Sequence, residues 1–212
     1  MNSLSESQSK ALLAQYGLPV PREQSAATAD EAAVFAASLN GPVAVKADTP
    51  GLAHKTEAGL VALGLTGDGA FRRAAGDILA RAPKGSRLLV QEMASGKREL
   101  ILGMKRDPQW GAVISLGLGG IFAEALGDIT LRLAPVSDAE ASAMIDDLGA
   151  TAIFGEYRGM AAVDRAAFAK AVMAVSRCAE ENPDVVEIDV NPLIVTDAGG
   201  VVAVDALVVR SA

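Results

Sequence analysis

Histidine, cysteine and aromatic side chains are almost missing from this chain. Its 212 residues hold one histidine, one cysteine and one tryptophan, and aromatics make up 4%. A single cysteine, Cys178, excludes an internal disulfide. It lies in a helical pattern, "FAKAVMAVSRCAEE", with no nearby histidine to activate it, so a buried structural thiol is expected. No apolar run approaches the ~20 residues of a membrane span. The start "MNSLSESQSK" lacks the apolar stretch of a signal peptide, so a cytoplasmic protein is expected. Basic charge is also in short supply: 19 Lys and Arg stand against 26 Asp and Glu, a net charge of −7. That balance argues against a nucleic-acid binder but not against a nucleotide held by local donors.

What is present is aliphatic. Half of the residues are hydrophobic and 21% are charged, a globular composition for one or two domains with a real core. Helical periodicity predicts helices in "SLSESQSKALLAQYG", where Ser3 and Glu6 have capping-box spacing, and in "TADEAAVFAASLNG", capped by Thr28. Further helices are predicted in "GDGAFRRAAGDILARAPKG", in "SDAEASAMIDDLG" with Ser137 as cap, and in "DRAAFAKAVMAVSRCAEEN". Strands are predicted in "PVAVKA", "GLVALGL", "AVISLGLGG" and "ITLRLAP". "SRLLVQEM" and "ELILGMKRD" form a predicted hairpin through "ASGK", and the chain closes with two strands around "DAGG". "LPVPRE" is an extended connector. The mixture is α+β rather than a βαβ array. Seams are expected at "LPVPRE" and just before residue 87.

Two common phosphate motifs fail. A P-loop aligned on Lys55-Thr56 puts Thr49 and His54 where glycines belong, and a G-x-G-x-x-G from Gly117 and Gly119 meets Phe122. Other chemistry-bearing groups remain. Glu187, Asp189 and Asn191 alternate along one predicted strand and share a face, and a strand pair can bring Asn191 to Asp205. Such oxygen ligands suit Mg2+ completed by phosphates and water. The alternative is a hairpin end with solvated acids. Lys46 sits among aliphatics in "VAVKA" and faces either solvent or a phosphate. Gln91 to Ala94 can offer polar groups to a base, and the loop "GLGGIFAEALGD" is either an anion cradle or a plain turn.

Taken in order, "VAVKADTPGLAHKTEAGLV", "LLVQEMASGKRELILGMKRDPQWG", "ISLGLGGIFAEALGDITLRLAP", "FGEYRG" and "EIDVNPLIV" followed by "VDA" resemble the ATP-grasp (β) subunit of NDP-forming acyl-CoA synthetases, relatives of succinyl-CoA synthetase. The resemblance spans nearly the whole chain. It implies an α+β ATP-grasp fold: a small lid-like subdomain over 20–86 and a larger one from 1–19 and 87–212, with nucleotide and Mg2+ between them. By position, it assigns Lys46 to the phosphates and Gln91, Glu92 and Met93 to the adenine hinge, with Glu99 nearby. Asn191 and Asp205 are assigned to Mg2+, and Gly119, Gly120 and Arg132 to the phosphate or partner side. It also implies a CoA-binding partner subunit or domain that carries the principal phosphohistidine, hence a hetero-oligomer. In the acetyl-CoA synthetase branch a second histidine, in an H-K-T/S loop, relays phosphate to the nucleotide. His54 matches it, and neutral imidazole is a suitable nucleophile near pH 7. Leu60 stands where that loop often has a second glycine, which would stiffen it.

The resemblance therefore implies an ADP-forming acid–CoA ligase, a catalytic ATP-grasp subunit using ATP or ADP with Mg2+. A non-catalytic nucleotide-sensing module regulating a fused or partner enzyme is the alternative. His54 and the Asn191/Asp205 pair favour the catalyst, because a sensor need not keep a relay histidine. A lone ATP-grasp ligase is disfavoured, since the chain has no room for an acceptor-substrate domain. The start of the chain resembles the family's own, which points to a free subunit.

Overall fold

Val43, Val45 and Ala47 alternate with Ala44, Lys46 and Asp48, and a period of two gives a strand two distinct faces. In the computed structural model, which describes residues 1–52, 55–120, 127–149, 151–156 and 159–211, that strand is buried on both faces. The described elements, in chain order, are β1 (Asn2–Ser3), α1 (Glu6–Gln15), β2 (Glu23–Ala26), α2 (Ala29–Ser38), β3 (Val43–Asp48), β4 (Val61–Leu65) and α3 (Asp68–Arg81). Then follow β5 (Arg87–Glu92), β6 (Arg98–Asp107), β7 (Gly111–Leu118), β8 (Ile129–Leu133), α4 (Asp138–Asp146), a 3-10 turn (Thr151–Phe154), α5 (Arg165–Glu181), β9 (Val185–Val195), β10 (Val201–Ala203) and β11 (Ala206–Arg210).

The chain divides into two units. One comprises Leu4–Ser7 and Pro21–Met93, the other Met1–Ser3, Gln8–Val20 and Ala94–Ala212. In the first unit, four antiparallel strands run in the order β2-β5-β3-β4. Val43, Val45 and Ala47 of β3, with Leu88 and Val90 of β5, pack against Ala32 and Ala33 of α2 and Phe71, Ala75 and Ile78 of α3. This is the usual economy of a sheet covered by amphipathic helices, each burying the face the other needs to hide. The alternate residues of β3 therefore project to the opposite side. Thr28 caps α2 as expected, accepting from the Glu31 N–H at 3.2 Å.

In the second unit, the sheet runs β1-β11-β9-β6-β7-β8, with β10 also on β9, and all pairings are antiparallel. Leu100, Leu102 and Met104 of β6, Ile114 and Leu116 of β7, and Ile188 and Val190 of β9 are buried. α5 packs across these strands and α4 packs on α5. Phe168, Val172 and Val175 of α5 are fully buried. Ser137 caps α4 in a full capping box with Glu140. No helix among the described residues is long and apolar enough to cross a membrane.

Five local expectations are corrected. Ser3 and Glu6 do not form a capping box: Asn2 and Ser3 pair with Arg210 and Val209, and the helix begins at Glu6. The first turn of α1 is instead capped by Asp48, which accepts from the Ser7 N–H at 3.1 Å and from its hydroxyl. β5 and β6 are not a hairpin. β5 lies between β2 and β3 while β6 lies between β7 and β9, so "ASGK" links two sheets. The division between units accordingly falls at Met93–Ala94 rather than at 86–87, and residues 4–7 go with the smaller unit. Glu23, the last residue of the expected connector, opens strand β2, for whose other residues the sequence predicts no element. The C-terminal segment contains three strands, not two: β10 and β11 follow one another along the same edge of β9.

Candidate functional site

Lys46 lies mid-strand on the face of β3 turned away from the α2–α3 core. Its side chain is 6% exposed, and its Nζ donates to Glu6 Oε1 at 2.7 Å. Lys55, which follows His54 in sequence, donates to the other oxygen, Glu6 Oε2. The Glu6 side chain is only 2% exposed. One buried carboxylate from the first turn of α1 thus gathers a lysine from β3 and a lysine from the turn before β4. Removing one partner of a buried ion pair typically costs about 3–5 kcal/mol, because the other charge is left uncompensated. His54 itself lies outside the described residues.

Gln91 and Glu92 end β5. Gln91 is 3% exposed and stands opposite Glu23 and Ala44. Glu92 exchanges bonds with Arg22, its N–H donating to the Arg22 carbonyl at 3.0 Å and its Oε1 accepting from the Arg22 N–H at 2.9 Å. The Met93 N–H donates to the Pro42 carbonyl at 3.3 Å, while its side chain is exposed. A base placed here has the Met93 side chain as an apolar surface but not its N–H.

In the other unit, Glu99, Gly119 and Gly120 are brought together. The Gly119 N–H donates to the Glu99 carbonyl at 2.7 Å, one step beyond the β6–β7 ladder. A Cβ on Gly119 would lie 2.8 Å from the Glu99 carbonyl carbon, so only glycine fits without moving backbone. Gly120 has φ +73° and would place a Cβ 3.5 Å from Glu99 Oε2. The loop continues into residues outside those described. Arg132 is not with this group. Its guanidinium pairs with Asp147 and donates to the Leu131 carbonyl at 2.8 Å and the Thr130 hydroxyl at 3.2 Å.

Asn191 and Asp205 meet at a break in the sheet. Pro192 has no N–H to donate, and two residues of β9, Asn191 and Pro192, occupy the step between Leu100 and Leu102 of β6. On the other edge of β9, β10 ends at Ala203 and β11 begins at Ala206. Two bonds close the gap, from the Asn191 N–H to the Asp205 carbonyl and from the Val204 N–H to the Pro192 carbonyl, both 3.3 Å. Asn191 is exposed and Asp205 half-buried. Nearby Asp189 has its carboxyl held above the usual range by burial, then by Glu187 and Asp205. These are hard oxygen donors of the kind Mg2+ takes in ones and twos. No group of three or more His, Cys, Asp or Glu side chains arranged for a metal occurs among the described residues.

A family model described as "ATP-grasp domain" matches residues 1–209. The chain belongs to the ATP-grasp family. This ATP-grasp chain is 35% identical to subunit beta of the ADP-forming acetate–CoA ligase II of Pyrococcus furiosus, an alignment covering 96% of this chain and 90% of that one. It is 37% identical to the ADP-forming acetate–CoA ligase I of Archaeoglobus fulgidus, covering 89% of this chain but 28% of that protein. It thus spans less than a third of that longer relative. Among solved structures, the dinucleotide-forming acetyl-coenzyme A synthetase 1 of Ca. Korarchaeum cryptofilum superposes with a TM-score of 0.92 at 33% identity, over 99% of this chain and 94% of that one, in a complex with coenzyme A and Ca-AMPCP. A second structure of that enzyme, with coenzyme A and Mg-AMPPCP, has its "phosphohistidine segment pointing towards nucleotide binding site" and superposes with a TM-score of 0.86. The α+β ATP-grasp fold expected from the sequence is the fold of this chain.

Sequence reasoning missed Glu6, Lys55 and Arg98. Glu6 shares a helix face with Lys10 and Leu13 at i+4 and i+7, and all three are buried, so a charged pair on the apolar stripe was the available signal. Arg98 sits in the inward row with Leu100, Leu102 and Met104, and donates to the carbonyls of Gly155, the second residue of "FGEYRG", at 3.2 Å, and of Ala161, just beyond that segment.

Proposed function

We propose that this chain is the nucleotide-binding part of an ADP-forming acid–CoA ligase, interconverting acyl-CoA, ADP and phosphate with acid, CoA and ATP alongside a CoA-binding subunit or domain. The observation that carries the reading is the near-complete coverage, in both directions, of a beta subunit so named. The relatives' names favour a ligase over a nucleotide sensor.

Lys46 serves the phosphates, Gln91, Glu92 and Met93 flank the adenine with Glu99 nearby, and Gly119 and Gly120 serve the phosphate or partner side. Asn191 and Asp205 hold Mg2+; their oxygens at the ladder break suit a hard cation that keeps several waters. The bound cation neutralises charge on the phosphoryl oxygens. His54 is the relay. In the direction of acid activation, an imidazole nitrogen attacks the γ-phosphorus of ATP and a nitrogen–phosphorus bond forms. The bond from phosphorus to the bridging oxygen breaks, ADP leaves with its electron pair, and the ring gives up its N–H proton. The phosphoryl group then passes to the partner's histidine, and the reverse path makes ATP. In-line transfer of this kind needs positioned cations more than covalent chemistry.

The test needs only this chain. Incubation with Mg2+ and γ-labelled ATP is expected to give an acid-labile, base-stable label that is absent from His54→Asn and weaker, with a higher Mg2+ requirement, in Asp205→Ala. A His54→Asn chain that labels at the wild-type rate would sink the relay.

A further inference from the structure

Glu6 has no part in the reading above, yet it is the most buried member of the charged group around Lys46. Its two carboxylate oxygens are divided between two cations: Oε1 takes Lys46 Nζ at 2.7 Å and Oε2 takes Lys55 Nζ. The three side chains come from different elements, α1, β3 and the turn that precedes β4. They are 2%, 6% and 12% exposed.

Two ammonium groups within reach of one carboxylate repel each other, and burial magnifies the repulsion. The carboxylate between them offsets it, and the three groups together still carry one net positive charge. Glu6 cannot swing away as a surface carboxylate would. Its backbone is fixed in the first turn of α1, and the next residue, Ser7, is tied to Asp48 of the same strand that carries Lys46. Lysine is a point charge on a flexible stem, and fixing its head is what a binding site must add.

We propose that Glu6 is a positioning residue that pre-assembles a two-lysine phosphoryl seat, with Lys55 as a second cationic ligand beside Lys46. The proposal rests on the reading of Lys46 as a phosphate ligand and extends it to a residue from the start of the chain. The ligand class is the di- or triphosphate of a nucleotide. The carboxylate does not touch the phosphates. It fixes where the two ammoniums stand and keeps them together when no anion is present.

Glu6→Gln keeps the shape and removes the charge. Calorimetric titration of the whole chain with Mg·ATP and with adenosine, in parallel, gives the readout. Glu6→Gln is expected to weaken Mg·ATP by roughly thirtyfold or more, the low end of what truncating one member of a hydrogen-bonded charge pair costs in binding rather than in folding, and to leave adenosine unchanged. A purely structural role would weaken both alike. Lys55→Met is expected to weaken Mg·ATP as well, and Glu6→Gln/Lys55→Met to be no worse than the sum of the singles. Glu6→Asp, which keeps the charge, is expected to recover part of the loss.

A folded Glu6→Gln chain with wild-type affinity for Mg·ATP overturns the proposal. So does one that binds more tightly, which would make Glu6 a competitor for the seat rather than its organiser. If Glu6→Gln does not fold, Lys55→Met decides, and wild-type affinity there overturns the two-lysine seat. A wild-type chain that binds ATP no better than adenosine removes the phosphate role of Lys46 and the proposal with it. A wild-type preference for ATP that survives Glu6→Gln removes only the proposal.

Discussion

Replacing Gly119 by alanine is expected to damage the protein through one contact that no side-chain rotation can relieve. The added Cβ would stand 2.8 Å from the Glu99 carbonyl carbon, 2.9 Å from its oxygen and 3.0 Å from its Cβ. Ordinary carbon contacts begin near ~3.5 Å, so the β6–β7 ladder end must open by roughly half an ångström. The same movement lengthens the 2.7 Å bond from the Gly119 N–H to the Glu99 carbonyl. Overpacking of this kind costs about 1–3 kcal/mol. At roughly 2–4 °C per kcal/mol for a chain of this size, Gly119→Ala should melt about 2–12 °C below wild type in differential scanning calorimetry. Gly120→Ala is the comparison. Its penalty is backbone conformation at φ +73°, about 1–2 kcal/mol, and its nearest neighbour is the movable Glu99 Oε2. Glu99→Ala is therefore expected to rescue neither variant, since the atoms in the way at Gly119 survive that truncation and the penalty at Gly120 lies in its backbone. A Gly119→Ala protein melting within 1 °C or so of wild type, or one rescued by Glu99→Ala, would refute the reasoning.

Burial pushes the Cys178 thiol up to about 11, above its unfolded value of about 8.5. A raised native value means stability fully present below pH 8.5 and lost as pH rises through 11. Cys178→Ala is therefore expected to flatten the fall of melting temperature between about pH 9 and 11, and the native thiol to resist Ellman's reagent at pH 8 until denaturant is added; rapid native labelling would contradict both. Glu140 is held below the usual carboxylate range by the Ser137 hydroxyl and N–H. A depressed native value gives stability that is present above the unfolded value and lost as pH falls through the native one. Glu140→Gln should then melt below wild type at pH 7, with the difference closing under about pH 4; a gap that is constant with pH in circular dichroism melts would argue against it.

Local order was legible in the sequence wherever one face of an element is apolar. β3, β7 and α5 follow from alternation or helical period alone, and Thr28 and Ser137 cap the helices they were expected to cap. The meeting of Asn191 and Asp205 was legible too, because both lie on a strand pair joined by a short turn. What escaped is non-local. β5 and β6 are neighbours in sequence, joined by a polar stretch that suits a turn, yet each pairs with strands from elsewhere in its own sheet. β2, "EQSA", has no apolar alternation to announce it, since only Ala26 is buried. Glu6 was mistaken for a capping residue because Ser3 happens to stand at the right spacing. Its true partners lie forty or more positions along the chain, which no window over the sequence can see.

The place of β6 between β7 and β9 has a consequence for how the chain is made. β7 leaves the ribosome directly after β6 and can pair at once, but β9 begins only at Val185. At about 5–20 residues per second, one edge of β6 stays bare for roughly 4–15 s during each round of synthesis. The edge carries the unpaired N–H and C=O groups of a central, aliphatic strand, the kind that recruits other nascent chains. The unit that ends at Met93 waits less: β4 follows β3 closely, and the other edge of β3 is closed by β5, which begins at Arg87, so that edge stays bare for roughly 2–8 s. Slowing translation between β7 and β9 should therefore raise aggregation of newly made protein more than an equal slowing between β4 and β5.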